Sequence, residues 1–264
     1  MNTKRNFPLI VAHRGASALA PENTLAAFKL AMDAGAEGIE FDVRLSKDNV
    51  AVVHHDRTLN RTAGRDGEVR SFTVRQLSQV DVGTWFNDAE PKMATSEFAK
   101  QKVPTLAETL AFLKDFRGLI YIELKCKEAD VAALAKAVCN AISESSLAAQ
   151  IVVKSFKLSF IPHIRHHCPG IRTAALFAPK IMTILRKEKH LVKIAEGFGA
   201  DELSIHYSLA TQKLIENAEH RNLPVNIWTA DHPRWLKRGV KLGLNAIITN
   251  DPARLLATRR ELLG

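Results

Sequence analysis

Short apolar runs alternate with amphipathic segments along most of the 264-residue chain. The runs have the length of buried strands, and the segments between them carry apolar residues at helical spacing. This alternation is typical of parallel strands connected by crossover helices. The predicted strands span residues 9–13, 39–45, 118–124, 151–156, 171–177, 202–206, 224–230 and 246–250. Eight parallel strands close a TIM (β/α)8 barrel, so we predict an α/β fold of this class. The rival doubly wound sheet has less support, because no G-x-G-x-x-G signature follows the first run.

Capping signals mark the ends of several predicted helices. Apolar positions within 25–32 share one helical face, and Gly35 follows them as a candidate C′ residue. Asn23 is a candidate N-cap for the same helix. After the last predicted strand, Asp251 and Pro252 match an N-cap followed by proline at the first helical position. These signals agree with helices that alternate with strands.

One interval interrupts this alternation. Residues 57–103 contain turn signals, a short possible helix and little period-two patterning. A structureless loop of that length is uncommon inside a domain, and Phe72, Trp85 and Phe86 argue against a flexible linker. We therefore predict a single barrel domain over 1–264 with a small inserted subdomain at 57–103. It follows the second barrel strand, on the face where barrel active sites lie.

Composition and charge narrow the class of partner. The chain has 37 Lys and Arg against 28 Asp and Glu, a formal net charge of +9, which favours anions such as nucleic acid, acidic lipid or a phosphorylated small molecule. The basic residues are spread along the chain rather than gathered in an arm. Three widely spaced cysteines indicate reduced thiols. With no segment of membrane-span length and only a short apolar run before His13, we expect a cytoplasmic protein.

Carboxylates on two predicted strands form a candidate metal site. Glu40 and Asp42 are two residues apart, so they point to the same face of a strand, and Glu123 and Lys125 repeat this spacing on the next barrel strand. Three carboxylates at the ends of adjacent strands would suit one divalent cation, Mg²⁺ or Ca²⁺. The alternative is that these acids form structural ion pairs with Lys125, Arg14 or Arg44.

Histidines at two strand ends supply candidate acid–base groups. His13 and Arg14 follow the first predicted strand, and His54 and His55 end a short apolar run. Adjacent residues in a strand face opposite ways, so only one of His54 and His55 belongs to the inward set. Two imidazoles, a cation and a guanidinium together suggest proton transfer around a bound phosphate.

Several spaced motifs then resemble one family over residues 9–251. They are HRG at 13–15, PENT at 21–24, E-x-D at 40–42, V-x-H-D-x-T-L-x-R-T ending at Thr62, P-T-L-x-E at 104–108, E-L-K at 123–125 and W-T at 228–229. In this order they resemble the glycerophosphodiester phosphodiesterases.

The resemblance implies a role for each candidate residue. It implies a TIM barrel with an insertion after the second strand, and a divalent ion held by Glu40, Asp42 and Glu123. It implies that His13 and His55 are the catalytic acid–base pair, which leaves His54 structural, and that Arg14 and Lys125 face the phosphate. It leaves Trp228 as a wall for the alcohol portion of the substrate, and Glu22 either braces Arg14 or lies near the ion.

Three short stretches depart from the family pattern. The family usually has D-G in the turn before the apolar run that ends in His54 and His55. This chain has Lys-Asp-Asn at 47–49 instead, and Asn49 tolerates the left-handed conformation that the turn needs. The frequent W-T-x-N ends in Asp231, so this chain has a carboxylate where the pattern has a side-chain amide. The common D-G-I-I-T-D reads Asn-Ala-Ile-Ile-Thr-Asn-Asp at 245–251 here, a change that we expect to affect packing rather than chemistry.

The function that we expect is hydrolysis of glycerophosphodiesters, such as deacylated phospholipid head groups, to sn-glycerol 3-phosphate and an alcohol. The expected partner is the small-molecule substrate, without nucleic acid and without stable membrane insertion. One alternative is a phosphodiesterase that acts on lysophospholipids at a membrane surface, with residues 179–194 as an interfacial helix. A second alternative is a catalytically silent barrel that binds phosphoesters. The sequence leaves open the oligomeric state, which histidine is the acid, and whether water or the glycerol hydroxyl attacks first.

Overall fold

The apolar runs form a closed barrel of parallel strands in the computed structural model, which describes residues 7–181 and 189–264. Within these ranges the strands are β1 Leu9–His13, β2 Gly38–Leu45, β3 Ala51–Val53, β4 Leu119–Leu124, β5 Ile151–Ser155, β6 Arg172–Phe177, β7 Glu202–His206, β8 Val225–Trp228 and β9 Ala246–Thr249. All except β3 belong to the barrel, which closes because β1 pairs with both β9 and β2. The predicted TIM barrel is confirmed, and every predicted strand is present with its ends displaced by at most about two residues.

Helices lie between the barrel strands. In the described residues they are α1 Leu25–Asp33, α2 Asn60–Ala63, α3 Val74–Leu77, α4 Thr84–Ala89, α5 Leu106–Phe112, α6 Val131–Ser143, α7 Phe160–His167, α8 Lys189–Phe198, α9 Gln212–Glu219, α10 Arg234–Leu242 and α11 Pro252–Leu263. None of the helices in the described ranges is long and apolar enough to cross a membrane. Of the stretch 179–194, residues 182–188 lie outside the described residues.

Two of the three capping predictions are confirmed. Asp251 accepts a hydrogen bond from the first turn of α11, which starts with Pro252. Gly35 has a φ of +83°, as expected for a residue just after a helix. The prediction for Asn23 is wrong, because the hydroxyl of Thr24 accepts from the Ala27 amide and caps α1 instead.

Strand alternation divides the interior into two regions. Residues of one parity, such as Ile10 and Ala12, pack outward against the helices in the large core. Residues of the other parity, such as Val11, Val152 and Ile248, form a separate apolar cluster inside the barrel. The inward parity continues toward the carboxyl ends of the strands, where polar side chains replace apolar ones. The candidate site residues of β1, β2 and β4 therefore project into the barrel mouth.

The short strand β3 brings a second histidine-bearing segment to that mouth. It pairs antiparallel with the end of β2, and Val53 lies opposite Val43. The turn between the strands uses Asn49 with a φ of +62°, which confirms that asparagine serves this turn. The amide of His54 donates to the Asp42 carbonyl oxygen over 3.0 Å, so the chain leaves β3 directly beside the acidic strand.

Residues 57–103 contain α2, α3 and α4 with intervening turns. Several of their apolar residues pack together with Val52 of β3 rather than with the barrel interior; they are Leu59, Val69, Leu77, Val80 and Val82. Phe86 contacts Phe98 edge to face, with ring centroids 5.6 Å apart. The inserted subdomain stays a prediction, and this packing is what supports it.

The close approach of the loop after β1 to helix α1 can be tested by substituting Gly15. Gly15 has a φ of +79°, and a Cβ built there would lie 2.6 Å from the carbonyl carbon of Ala27. Gly35 has a similar φ of +83° with nothing within 4 Å. Gly35→Ala should lower the free energy of unfolding by about 1–2 kcal/mol, the cost of a left-handed alanine. Gly15→Ala should cost roughly 1–3 kcal/mol more, because the loop must move away from α1. Urea denaturation of both variants checks this, and equal losses would contradict the close approach.

Candidate active site

Three buried carboxylates meet at the barrel mouth. Glu40 and Asp42 project from β2 and Glu123 projects from β4, where the register places Glu123 beside Asp42. Each offers one oxygen, and these atoms lie within 4.8 Å of one another. No other group of three acidic, histidine or cysteine ligands converges in this way among residues 7–181 and 189–264. The three acids that the sequence singles out are therefore brought together.

Two lysines and an arginine surround the acids. The Lys125 ammonium lies 2.6 Å from Glu123 Oε1 and 3.4 Å from Asp42 Oδ1. The Arg14 Nε lies 3.2 Å from Asp42 Oδ2. The ion pairs that the sequence raises as an alternative are thus present for Lys125 and Arg14. Arg44 has a different position, because it donates to the backbone carbonyl oxygens of His55 and Lys125.

Sequence reasoning missed the third cation, Lys154. Its ammonium lies 3.0 Å from Glu40 Oε1, and its side chain is only 2% exposed. It stands on β5 beside Glu123 in the register. A lysine directly after the apolar run 151–153, on the same predicted strand, was the available signal, since a buried lysine needs a partner.

These cations set the charge of the two acids on β2. Burial favours the neutral form of Asp42, but Lys125 and Arg14 outweigh it and hold the pKa well below its usual range. Burial likewise opposes ionisation of Glu40, and Lys154 together with His13 lowers its pKa. Both carboxyls are therefore charged at neutral pH.

Arg14 is held by its backbone as well as by its side chain. Its φ of +57° is unusual for a residue with a side chain. In this conformation its amide donates to Glu40 Oε2 over 3.2 Å, and its guanidinium donates to Glu22 Oε1 over 2.9 Å. Glu22 also accepts from Arg61. Of the two positions predicted for Glu22, the structure shows the one that braces Arg14.

Asn23 also belongs to this site, which sequence reasoning missed. Its side-chain amide donates to Asp42 Oδ2 over 2.9 Å, and the Asp42 backbone amide donates to its Oδ1 over 3.1 Å. Its φ of +59° turns the side chain toward β2 instead of toward the start of α1. Asn23 therefore fixes the orientation of the Asp42 carboxylate.

His13 lies at the end of β1 beside Glu40, which is its neighbour in the register. Its Nε2 is 3.9 Å from Glu40 Oε2, and its Nδ1 is 2.6 Å from the side-chain oxygen of Asn250. Burial lowers the pKa of His13, and Glu40 opposes that shift. The expectation that the departure at Asn250 affects only packing is wrong, because Asn250 contacts His13 directly.

His55 lies two residues after the end of β3. Its Nδ1 is 2.6 Å from Asp56 Oδ1, and Arg61 donates to the other oxygen of Asp56. Burial lowers the pKa of His55, and Asp42 opposes the shift. His54 is buried instead beneath this segment, with Nε2 3.3 Å from the Thr58 carbonyl oxygen.

Aromatic rings line the side of the mouth formed by β5, β7 and β8. Phe156 and His206 each contact Trp228 edge to face, with centroids 5.6 and 5.4 Å from it. The Lys125 ammonium lies 5.7 Å from the centroid of the Phe156 ring. This contact links Trp228 through Phe156 to the charged cluster. Phe156, which sequence reasoning did not single out, is 44% exposed.

Comparisons with known proteins agree with this architecture. A curated glycerophosphodiester phosphodiesterase from Caldanaerobacter subterraneus subsp. tengcongensis is 31% identical over 255 residues, which cover 96% of this chain and 98% of the relative. A phosphodiesterase from Oleispira antarctica, solved in complex with the product sn-glycerol-3-phosphate, has the same fold with a TM-score of 0.84 and 24% identity, covering 96% of this chain and 97% of that one. A glycerophosphodiester phosphodiesterase from Agrobacterium tumefaciens has a TM-score of 0.75 and 27% identity, covering 95% and 99%. The model of the glycerophosphoryl diester phosphodiesterase family matches residues 13–254. The chain therefore belongs to the glycerophosphoryl diester phosphodiesterase family.

Proposed function

We propose that this enzyme hydrolyses glycerophosphodiesters to sn-glycerol 3-phosphate and an alcohol, with a divalent cation at the barrel mouth. The observation that carries the proposal is the convergence of Glu40, Asp42 and Glu123 with two flanking histidines. The complex of the Oleispira antarctica phosphodiesterase with sn-glycerol-3-phosphate supports this product.

The three carboxylates fit a divalent cation. One oxygen of each acid lies near a lysine but receives no well-directed hydrogen bond: Glu40 Oε1, Asp42 Oδ1 and Glu123 Oε1. Burial raises the pKa of Glu123 to about 7, and the charges of Asp42 and Glu40 add to this rise. Oxygen ligands of this kind suit Mg²⁺ or Ca²⁺. Such an ion, when bound, would neutralise phosphate charge and polarise the phosphorus centre.

The residues of the chain supply binding and proton transfer. The Arg14 guanidinium and the Lys125 ammonium are placed to bind the phosphate oxygens. In hydrolysis a P–O bond to the alcohol breaks, and the departing alkoxide takes a proton from one histidine. The attacking hydroxyl forms the new P–O bond and gives its proton to the other histidine. His13 and His55 are the residues that we assign to these roles.

Room for the alcohol portion lies beside the charged cluster. A cavity of about 270 Å³ is lined by Lys125 and Phe156 on one side and by Arg57 and Glu68, from the segment after β3, on the other. Trp228, packed against Phe156, forms an apolar wall near it.

The cytoplasmic location of the protein stays a prediction.

One prediction of the proposed function is that activity depends on a divalent metal ion and on His13. A coupled assay should detect glycerol 3-phosphate release from glycerophosphoethanolamine, and a chelator should abolish this release until Mg²⁺ or Ca²⁺ is restored. His13→Ala should lower kcat by about 10²- to 10⁴-fold, the usual contribution of a general acid or base. Glu40→Gln should raise the metal concentration needed for half-maximal activity.

His166→Ala is the matched control, because His166 is exposed on α7 and should leave kcat unchanged. Activity that resists the chelator, or full activity in His13→Ala, would refute the mechanism. Activity only on lysophosphatidylcholine presented in liposomes would favour the membrane-surface alternative. Binding of substrate without turnover would favour the silent barrel. Incorporation of oxygen-18 and the detection of a cyclic phosphate distinguish direct attack by water from attack by the glycerol hydroxyl.

Another prediction follows from the raised pKa of Glu123. In the metal-free protein this carboxyl stays protonated up to about pH 7, whereas in the unfolded chain it ionises near pH 4.5. Glu123 contributes stability that is fully present below its unfolded pKa and is lost as pH rises through its folded pKa, by on the order of 3 kcal/mol. Urea denaturation in chelator at a series of pH values gives the difference in the free energy of unfolding between the wild type and Glu123→Gln, in which the titration of the other groups cancels. Between about pH 4.5 and pH 7 the wild type should lose this amount relative to Glu123→Gln, and parallel curves for the two proteins would contradict the assignment.

A further inference from the structure

A chain of hydrogen bonds extends from His13 away from the acidic cluster. Its first member is Asn250, whose Oδ1 lies 2.6 Å from His13 Nδ1. The hydroxyl of Ser17 donates to the same oxygen over 3.0 Å. Nε2, the other nitrogen of the imidazole, faces Glu40 at 3.9 Å and so lies on the side of the metal-binding carboxylates.

Asp231 is the second member of this chain and binds Asn250. Its Oδ2 accepts from the Asn250 side-chain NH₂ group over 2.9 Å. Its Oδ1 accepts from the Asn250 backbone amide over 2.7 Å and from the Thr249 hydroxyl over 2.9 Å. Three donors from adjacent residues therefore hold one carboxylate in a single orientation.

The chemistry of these groups determines where the His13 proton lies. An ionised carboxylate only accepts hydrogen bonds, so Asn250 must turn its NH₂ group toward Asp231 and its oxygen toward His13. A ring nitrogen within hydrogen-bond distance of an oxygen that can only accept must carry a proton, and Nδ1 meets this condition at 2.6 Å whereas Nε2, 3.9 Å from Glu40, does not. The neutral imidazole of His13 is therefore protonated on Nδ1, which leaves the Nε2 lone pair on the side of the site.

We propose that Asp231 is a positioning residue which, by orienting the side-chain amide of Asn250, holds His13 in the Nδ1-protonated tautomer. In this tautomer Nε2 is the atom that exchanges protons with the substrate. The catalytic consequence rests on the proposed function, whereas the tautomer itself does not.

The test uses the full chain and three variants. Asp231→Asn places a side-chain amide opposite that of Asn250. The oxygen of the new amide keeps the hydrogen bonds from the Thr249 hydroxyl and from the Asn250 backbone amide. Two NH₂ groups then face each other, so Asn250 must rotate and turn its own NH₂ group toward His13 Nδ1. The double variant Asp231→Asn with Asn250→Asp restores an acceptor there. Asp251→Asn is the matched control, because it removes the same charge and asparagine caps α11 equally well.

Nitrogen-15 NMR of histidine-labelled protein reads the tautomer directly, with His13 identified by its absence from the His13→Gln spectrum. At about pH 8.5, well above an ordinary histidine pKa, the wild type, the double variant and Asp251→Asn should show a protonated Nδ1 in His13. Asp231→Asn should show a protonated Nε2. Its kcat should fall by roughly 10- to 100-fold, as for other partners that orient a site histidine, while KM changes by less than about threefold. The double variant should recover most of this loss.

A wild-type His13 with its proton on Nε2 would overturn the proposal, whatever the variants do. An Asp231→Asn protein with normal tautomer and normal kcat would also overturn it, as would a double variant no better than the single one. If Asp231→Asn does not fold by circular dichroism, the wild-type spectrum and the double variant decide. A protein that shows the predicted tautomers but releases no glycerol 3-phosphate would support the positioning role and refute the proposed function instead.

Discussion

The site depends on the balance of charge between three buried carboxylates and the cations that face them inside the barrel. An ionised carboxyl away from water is costly unless an opposite charge and hydrogen bonds compensate it. Lys154 compensates Glu40, while Arg14 and Lys125 compensate Asp42. Glu123 is the least compensated of the three, since burial and its acidic neighbours raise its pKa despite the contact with Lys125. The uneven balance leaves a place for additional positive charge, and a divalent cation is the group that would supply it.

Strand parity and register make this balance possible. The inward parity that places Val11 in the barrel interior also directs His13 into the mouth two residues later. On β4 the same parity carries Glu123 and then Lys125 to the rim. The parallel registers place His13 beside Glu40, and Asp42 and Lys154 on either side of Glu123, so acids and cations from neighbouring strands meet at the mouth. The segment after β3 then adds His55 from outside the barrel.

The sequence predicts the barrel and much of the site because both rest on local periodicity. Eight apolar runs predict the strands, and the spacing of Glu40 and Asp42 predicts a shared face. The residues alone could not choose between His54 and His55, because the chain bends after β3 and strand alternation no longer applies. Lys154 was missed because its role depends on which strand lies beside β5. Asn23 was missed because a left-handed backbone turns it away from the cap position that its sequence suggests.

The central claim is that Glu40, Asp42 and Glu123 together hold one divalent ion. The most direct measurement is anomalous X-ray scattering from crystals soaked in Mn²⁺, which accepts the same oxygen ligands as Mg²⁺. The account predicts one strong anomalous peak bound by all three carboxylates, with Lys125 no longer bridging Asp42 and Glu123. Unchanged lysine bridges and no peak at the three carboxylates would contradict it.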